Sequence, residues 1–418
     1  MKTRSVFATL LPLPFVFSPL ANANDDANAI ETITVLGKQA HSGATLGGID
    51  IKDIAINSHV VHRAELERIR FVDPDEFLDR IPGETQVRNL RIPNGGKGYT
   101  IPMLDGMPLE NPYEGATQRL DRVNTLDIER VEVIKGPASA LYSNNAFGGV
   151  VNVISRTPPS ESETTVHYEA GDFNRQRFGV ATGGQVDRMG YFFDANSRKL
   201  EGLRDEQVND RDQLSGKVVF SATEQTTLTF RYEYLDEEVV ARGDLTEQQI
   251  NDDPTQAGGL SSATDLQQRQ WAAKVEHDFA HGAQLVADLV RREKDTIGLS
   301  RFRGPQDEND VGYSAKLMYM DQFVSGAWVL GYDGYFGTQD TKQFGRTDVD
   351  LQGDFTQFEN TLDINALFAQ YNVELIDKVN VSAGLRYEDI ALSSTVYSEE
   401  ASFDVLAPKF GVTYACLL

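Results

Sequence analysis

The chain has 418 residues and a formal net charge of −24 at pH 7. This acidity argues against a nucleic-acid partner, because phosphates require a basic protein face. The single cysteine, Cys416, excludes an internal disulfide framework and any cysteine-rich metal site. After the N-terminus no apolar run reaches about 18 residues, which excludes a transmembrane helix.

The first 23 residues have the pattern of a secretory signal peptide. Lys2 and Arg4 precede a largely apolar stretch, residues 6–20, and residues 21–23 form a small-x-small cleavage pattern. We expect cleavage after Ala23. The mature net charge is then −26, because the peptide carries two positive charges and no negative ones. The alternative is a buried N-terminal helix, which the three prolines of this stretch disfavour.

Residues 24–48 are predicted to form a polar tether around one β-prone hexamer. The hexamer consists of Glu31, Thr32, Ile33, Thr34, Val35 and Leu36. Such an isolated segment is typical of an edge strand. Its alternative use is to be captured by the open sheet edge of a partner, through backbone hydrogen bonds. The residues alone leave both interpretations open.

Residues 49–158 are predicted to form one compact α/β unit. The patterns predict helices at residues 63–69 and 74–81 and strands at residues 87–92 and 99–104. Pro102 places the second of these strands at a sheet edge, because proline cannot donate to a ladder. Asp105-Gly106 is a hairpin-type turn.

The end of this unit, residues 128–156, reads as two buried strands around a turn of small residues. The apolar runs are residues 131–134 and 150–154, and Gly148-Gly149 lets the backbone re-enter a strand. A glycine-rich nucleotide loop is the rival interpretation. It is disfavoured because no Lys-Ser/Thr pair follows the glycines.

From about Glu163 onward, roughly twelve segments of about ten residues alternate between apolar and polar side chains. The clearest is residues 227–235, in which even-numbered positions from Leu228 to Tyr234 are apolar and Thr229, Arg231 and Glu233 are polar. Aromatic residues lie near strand ends. Short connections, such as residues 278–283, alternate with long polar ones, predicted at residues 235–267 and 337–361. These features favour an outer-membrane barrel over a soluble sandwich.

This order of segments resembles a TonB-dependent outer-membrane receptor. The resemblance is carried by ETITV, LDGMPL and IERVEVIKGPASALYSNNAFGGVVNVISR, followed by strands such as LFAQYNVELIDKVNVSAGLRYE. It implies an α+β plug domain, an antiparallel transmembrane β-barrel, and energised import. The hexamer would be the TonB box, pulled by the TonB energy-transducing complex, in an outer membrane of lipid and lipopolysaccharide.

The resemblance also implies where a ligand is bound. Ligand contacts in the family come from apical plug loops and long barrel loops, here residues 91–99, 110–119 and parts of 235–267. The residues expected to meet an anionic, aromatic-rich iron chelate are Arg91, Lys97, Tyr99, Tyr113 and Arg119. Loop solvation or wall salt bridges are an equally good account of each basic residue.

The strand count departs from the family, whose barrels have about 22 strands against about twelve here. A plug of about 110 residues is about 34 Å across, whereas a closed barrel of about twelve strands is only about 24 Å across. We therefore expect residues 159–418 to form an open partial barrel. We also expect the chain to be a C-terminally truncated receptor.

No catalytic constellation is present, and we expect no cofactor and no metal. The six histidines are scattered, and the pairs His59/His62 and His277/His281 are more typical of solvated side chains than of a metal site. The run Asp236-Glu237-Glu238 is interpreted as a charged loop rather than a Ca²⁺ site.

Ferric-siderophore import is the leading hypothesis. Import of cobalamin, haem or an oligosaccharide, a barrel enzyme, and a non-transporting surface protein remain as alternatives.

Overall fold

The computed structural model describes residues 45–46, 49–50, 57–69, 100–109, 120–135, 141–142, 146, 149–300, 304–323, 326–345, 351–376, 379–396 and 399–414. All of them lie within one compact unit, Leu36–Leu418. A two-residue hairpin, β1 (Thr45–Leu46) and β2 (Ile49–Asp50), precedes a small mixed sheet and a large antiparallel sheet.

The mixed sheet has five strands in the order β3-β6-β7-β4-β5. They are β3 (Asn57–His62), β4 (Thr100–Leu104), β5 (Met107–Pro108), β6 (Ile128–Lys135) and β7 (Gly149–Ser155). β4 runs parallel to β7, and the other pairs are antiparallel. The helix predicted at residues 63–69 is confirmed as α1 (Arg63–Ile69). The two strands predicted within residues 128–156 are confirmed as β6 and β7.

Both faces of the mixed sheet are buried, which explains why its strands are almost continuously apolar. One face packs Val131, Val133, Val151 and Val153 against Leu66 of α1. The opposite face carries Ile101, Met103, Ile134 and Val150, together with the buried polar pair Glu132 and Asn152. Asn152 Nδ2 donates to Glu132 Oε2 at 3.3 Å. This second face turns towards the large sheet.

Two details of the mixed sheet bear on the predictions. The Asp105-Gly106 turn is confirmed, with φ of 52° and 87°, the positive values that a type I′ hairpin requires. The edge position predicted for β4 is wrong, because β5 covers its other side. Proline is tolerated there because β5 pairs only with Met103 and Leu104. The segments predicted at residues 74–81 and 87–92 lie outside the described residues.

The large sheet has twelve antiparallel strands in chain order, β8 to β19, with β8 and β19 at its two edges. Their bounds are β8 (Glu163–Ala170), β9 (Gln176–Val186), β10 (Met189–Lys199), β11 (Val208–Ser221), β12 (Thr226–Arg242), β13 (Leu260–Asp278), β14 (Gln284–Ser300), β15 (Gly304–Phe323), β16 (Gly326–Phe344), β17 (Phe355–Ile376), β18 (Val379–Ser394) and β19 (Glu399–Tyr414). The predicted twelve strands, the start at Glu163 and the open partial barrel are confirmed.

The long polar connections were predicted too long. β12 continues to Arg242 and β13 begins at Leu260, while β16 and β17 reduce the second predicted connection to residues 345–354. The polar residues at the ends of these strands were read as loops, but they continue the strand pairing in register, as Asp236 does with Gln267. The first connection contains a short helix, α2 (Glu247–Asp252), whose capping box pairs Thr246 with Gln249.

The two faces of the large sheet differ as predicted. On β12, Phe230 is 51% exposed on the outward face, while the adjacent Arg231 is 4% exposed on the inward face. The outward apolar run is residues 228–234 on β12 and residues 367–375 on β17. Register places Arg231 level with Ile364 of β17, so the apolar band shifts by about seven residues over five strands.

This shift measures the tilt of the strands. With about 3.3 Å per residue and about 4.8 Å between strands, the apolar band runs perpendicular to the barrel axis only if the strands tilt by about 45° from that axis. Strands of membrane barrels tilt by about 35–45°. In the described part of the chain no helix is both long and apolar enough to cross a membrane.

Candidate functional site

The residues predicted to bind TonB or a ligand all lie outside the described part of the chain. These are Glu31 to Leu36, together with Arg91, Lys97, Tyr99, Tyr113 and Arg119. Their assignments therefore stay predictions. The structure does describe the contact between the inward face of the large sheet and the domain that contains the mixed sheet, called here the mixed domain. The sequence did not predict this contact.

The Asp105-Gly106 turn is the first anchor of this contact. The Asp105 carboxylate accepts hydrogen bonds from the backbone N–H of Ser155, at 2.9 Å, and from the Ser155 hydroxyl. The Gly106 N–H donates to Asn152 Oδ1 at 3.0 Å. The turn between β4 and β5 is therefore fixed to the end of β7, and its carboxylate is held at the rim of the mixed sheet.

Two lysines of the large sheet reach this turn. Lys217 of β11 donates to the Ser155 hydroxyl and to the Arg156 carbonyl oxygen, at 3.0 Å for the latter, and its Nζ lies 3.8 Å from Asp105 Oδ2. Lys274 of β13 donates to the Asp105 carbonyl oxygen at 3.4 Å. Burial raises the pKa of the Asp105 carboxyl, but Lys217, Arg231 and Lys274 outweigh it and hold that pKa well below its ordinary value. Asp105 therefore stays charged.

The second anchor is an ion pair between Asp127 and Arg231 of β12. The guanidinium Nη2 lies 2.5 Å from Asp127 Oδ2, and the two side chains are 5% and 1% exposed. Arg231 also pairs with Glu233 at 2.8 Å, and the Asp127 carboxylate accepts a 3.3 Å hydrogen bond from the backbone N–H of Arg156. Among the described residues, the arginine forms ion pairs with two carboxylates and the aspartate forms an ion pair with one cation.

The third anchor surrounds the short turn of residues 120–127. Asn124 caps that turn by accepting from the Leu126 N–H at 3.1 Å, and its amide donates to the Asp194 carboxylate of β10. Arg122 lies 3.1 Å from Glu237 of β12, which also holds Arg211. Leu126 closes the contact by packing over Gly179, where a Cβ would lie 2.6 Å from Leu126 Cδ1. A Cβ at this position would require the Leu126 side chain to shift.

The run 236–238 is thus corrected by the structure. It was interpreted as a charged loop, but it lies within β12, and Glu237 points inward to Arg122 and Arg211. Within the described residues no group of three histidine, cysteine or acidic side chains is arranged to hold a metal ion. His277 instead shares a 2.9 Å hydrogen bond with Thr226.

The centre of the contact is apolar. Tyr142 and Ile134 of the mixed domain share one buried cluster with Val286, Met318 and Phe368 of the large sheet. The Lys316 ammonium group of β15 lies 5.2 Å from the centre of the Tyr142 ring, a cation–π contact that joins this cluster to the charged groups of the wall.

The contact is electrostatically complementary. The mixed domain presents Asp105 and Asp127 to lysine and arginine side chains of β11 to β13, and it presents Arg122 to a glutamate of β12. Buried ion pairs of this kind contribute orientation and specificity, since desolvation cancels much of their attraction. These contacts hold the mixed domain in one position against the inward face of the large sheet. Among the contact residues described here, no nucleophile is paired with a general base.

Comparison with protein families agrees with this architecture. Residues 50–150 match the TonB-dependent receptor plug domain, and residues 154–416 match the TonB-dependent receptor-like β-barrel. The chain belongs to the TonB-dependent receptor family. Members of this family are outer-membrane proteins and not enzymes. The matched ranges identify the mixed domain as the plug and the large sheet as a partial barrel. They bind a siderophore or another nutrient and interact with TonB.

Several relatives of this receptor can be named. It is 24% identical to a probable TonB-dependent siderophore receptor, PirA, of Acinetobacter baumannii, over 81% of this chain and 54% of that protein. It is 22% identical to the vitamin B12 transporter BtuB of Vibrio cholerae, over 49% of this chain and 34% of that protein. The chain thus spans about a third to a half of the curated relatives it matches.

Solved structures show the same fold. The ferric citrate transporter FecA, in its unliganded form, superposes with a TM-score of 0.71 at 16% identity, covering 87% of this chain and 61% of that one. The alcaligin outer-membrane receptor FauA of Bordetella pertussis superposes with a TM-score of 0.69 at 14% identity, covering 88% and 61%.

Proposed function

We propose that this receptor imports a ferric siderophore across the outer membrane, driven by the TonB complex. The observation that carries the proposal is the plug docked on the inward wall through ion pairs and a polar turn, since such a domain closes a passage and must move to open it. The relative PirA, a probable siderophore receptor matched over 81% of the chain, supports the choice of cargo.

The energised step begins, in this proposal, at the hexamer Glu31 to Leu36. A partner captures it as an added strand and pulls on the plug through the tether, residues 24–48. The contacts of Asp105 and Asp127 with the wall then have to separate. Leaving one member of such a pair buried without its partner costs about 3–5 kcal/mol, which is an upper bound for separating the pair. One charge crossing about 100 mV supplies about 2.3 kcal/mol, so about three or four protons suffice for both pairs.

The cargo is proposed to meet the plug loops at Arg91, Lys97, Tyr99, Tyr113 and Arg119. Guanidinium and ammonium groups form charge-assisted bonds with an anionic chelate, and the tyrosines stack on its aromatic rings. The domain limits proposed here are residues 1–23 for the signal peptide, 24–48 for the tether, 49–158 for the plug and 159–418 for the partial barrel. Outer-membrane lipid and lipopolysaccharide would surround the outward apolar band.

The test is growth of an iron-starved deletion strain on a panel of ferric chelates, complemented with the native gene. Growth on at least one ferric siderophore that fails without the gene supports the proposal. No rescue on any iron chelate would contradict it. Alanine at Arg91 and Arg119 should lower uptake of the rescuing chelate. Alanine at Arg188, in a short turn at the opposite end of the barrel, serves as the control.

Vitamin B12 is the second candidate cargo, because the transporter BtuB matches about half of the chain. A strain whose growth depends on low external vitamin B12 separates the two. Rescue there, without rescue on iron chelates, would replace the siderophore proposal.

A further inference from the structure

Three buried polar side chains on the inward face of β17 and β18 take part in none of the anchors described above. They are Gln370, Asn372 and Ser382, and each is at most 3% exposed. Gln370 Nε2 donates a hydrogen bond to Asn372 Oδ1 at 3.0 Å. Gln370 Oε1, Asn372 Nδ2 and Ser382 Oγ have no hydrogen-bond partner in the described part of the chain. The two amides leave one acceptor and one donor free whichever way they are turned.

Strand register brings a lysine to the same place. Asn372 lies opposite Ser382, and Gln370 lies opposite Gly384, which in turn pairs with Lys409 of β19. Gln370 and Lys409 are therefore two strand spacings apart, about 10 Å, on one face of the sheet. Lys409 is partly buried and forms no ion pair within the described residues. Because Gly384 has no side chain, the long flexible stem of the lysine can carry its ammonium group towards the two amides.

These side chains lie on the part of the wall that leads to the periplasm. Phe368, which precedes Gln370 on the same face of β17, shares a buried cluster with Ile134 and Tyr142 of the plug. Beyond Asn372, β17 ends at Ile376 and is joined to β18 by residues 377–378. Such short connections are periplasmic in membrane barrels. The polar group therefore lies between the plug contact and the periplasmic end of the inner wall.

Docking of the plug does not explain these polar groups. On β11 and β12, buried charges of the wall are paired with Asp105 and Asp127 of the plug. On β17 and β18, by contrast, the free amide and hydroxyl groups meet no partner among the described residues. Burying such groups unpaired is unfavourable, and a buried group without a partner therefore calls for an explanation. A role in the state that follows plug movement supplies one, because the same groups are then free to bind.

We propose that Gln370, Asn372, Ser382 and Lys409 form a transit site, which binds the anionic, oxygen-rich face of the cargo once the plug has moved. This inference rests on the proposed import function. The ammonium group of Lys409 forms charge-assisted hydrogen bonds with carboxylate, hydroxamate or catecholate oxygens. The Asn372 amide and the Ser382 hydroxyl donate further hydrogen bonds. One lysine among neutral groups attracts an anion but still lets it leave, as passage through a pore requires.

The site can be tested first without any cargo. Ser382→Cys is made together with Cys416→Ser, which removes the one native cysteine of the chain. The full chain in detergent is treated with an anionic and a cationic methanethiosulfonate reagent, and each rate is divided by that reagent's rate with a free thiol. The measurement is made without urea, and in urea at a concentration where β6 exchanges its amide hydrogens freely and β14 stays protected.

Both reagents should react slowly while the plug is docked. Once it is released, the anionic reagent should be favoured by about tenfold, because a nearby ammonium group concentrates anions. Lys409→Met should abolish this preference. Lys342→Met, which removes a lysine that is 39% exposed on the outward face of β16, should leave it unchanged. Equal corrected rates for the two reagents, or an anionic preference that survives Lys409→Met, would overturn the proposal and indicate an ordinary hydrated gap.

Uptake then tests whether the cargo uses the site, with a radiolabelled ferric chelate and the native gene. Lys409→Met and Asn372→Leu should each lower the maximal uptake rate by about tenfold and leave the affinity of surface binding unchanged, while Lys409→Arg should retain most of the rate. An unchanged maximal rate in Lys409→Met, or an equal loss of surface binding, would overturn the transit role. If the unsubstituted receptor takes up no ferric chelate, the proposed import function fails, and the thiol rates alone decide whether the anion site exists.

Discussion

The ion pair Asp127–Arg231 allows a sharp prediction, because Arg231 has a second carboxylate in ion-pair distance, Glu233, in addition to Asp127. In Arg231→Met the Asp127 carboxylate stays buried, at 1% exposure, without the cation that forms its ion pair. In Asp127→Asn the arginine keeps Glu233 at 2.8 Å. Removing the partner of a buried charge costs about 3–5 kcal/mol. Removing the Asp127 charge costs less, because the arginine that remains is still paired with a carboxylate. Arg231→Met should therefore loosen the plug more than Asp127→Asn does.

The assay is hydrogen exchange of the full protein in detergent, followed at the β6 strand Ile128–Lys135 in the plug and at β14 in the wall. Because about 1.4 kcal/mol is a factor of ten, Arg231→Met should speed exchange of β6 by about two to three and a half orders of magnitude. Exchange of β14 should change little.

The matched control is Arg291→Met on the outward face, whose half-exposed pair with Glu293 is worth about 0–1 kcal/mol. It should leave β6 exchange within a few-fold of the unsubstituted protein. Equal effects of Arg231→Met and Asp127→Asn, or an unchanged β6 rate in Arg231→Met, would refute the account of this anchor.

Three further predictions concern the turn, the close approach and the band. Against the effect of burial, neighbouring cations hold the pKa of Asp105 low, so its docking contribution is complete above about pH 4 and is lost only as the pH falls through the lower, folded pKa. Asp105→Asn should lower the urea midpoint of plug release at pH 7 and flatten its acid dependence. A pH profile identical to that of the unsubstituted protein would contradict this. Gly179→Ala should destabilise docking by about 1 kcal/mol in the same assay, because Leu126 has to move aside, while Gly298→Ala, with open space around it, should not. Tyr371→Arg, at the centre of the outward apolar run, should cost about 2–4 kcal/mol of folding free energy in lipid vesicles and Gln357→Arg about 0–1 kcal/mol. Equal costs would show that the apolar band is not centred where it is placed here.

The alternation of side chains in the sequence predicted much of the barrel. Residues 227–235 assigned the outward and inward faces of β12, and the structure confirms Phe230 outward and Arg231 inward. Alternation succeeds here because one face meets hydrocarbon and the other meets the plug. It failed beyond residue 235, where the acidic side chains of residues 236–238 lie on both faces and the segment resembled a loop although it stays paired in register.

The docking contacts could not be predicted in the same way. Asp127 and Arg231 are 104 positions apart, and their meeting depends on which strand of the wall lies beside the plug. The sequence did offer a partial signal. Arg231 was recognised as polar on the face opposite to the aromatic side chains, and such inward charges need partners. Identifying those partners required the three-dimensional register.

The central claim is that cargo import depends on pulling the plug from the tether. The most direct measurement is uptake of a radiolabelled ferric chelate by cells expressing the native gene, with Ile33→Pro compared with Ile33→Val. Proline removes a backbone N–H needed for an added strand, whereas valine keeps the β-preference. The account predicts that Ile33→Pro abolishes uptake while surface binding of the chelate persists, and that Ile33→Val transports normally. Unchanged uptake in Ile33→Pro would contradict it.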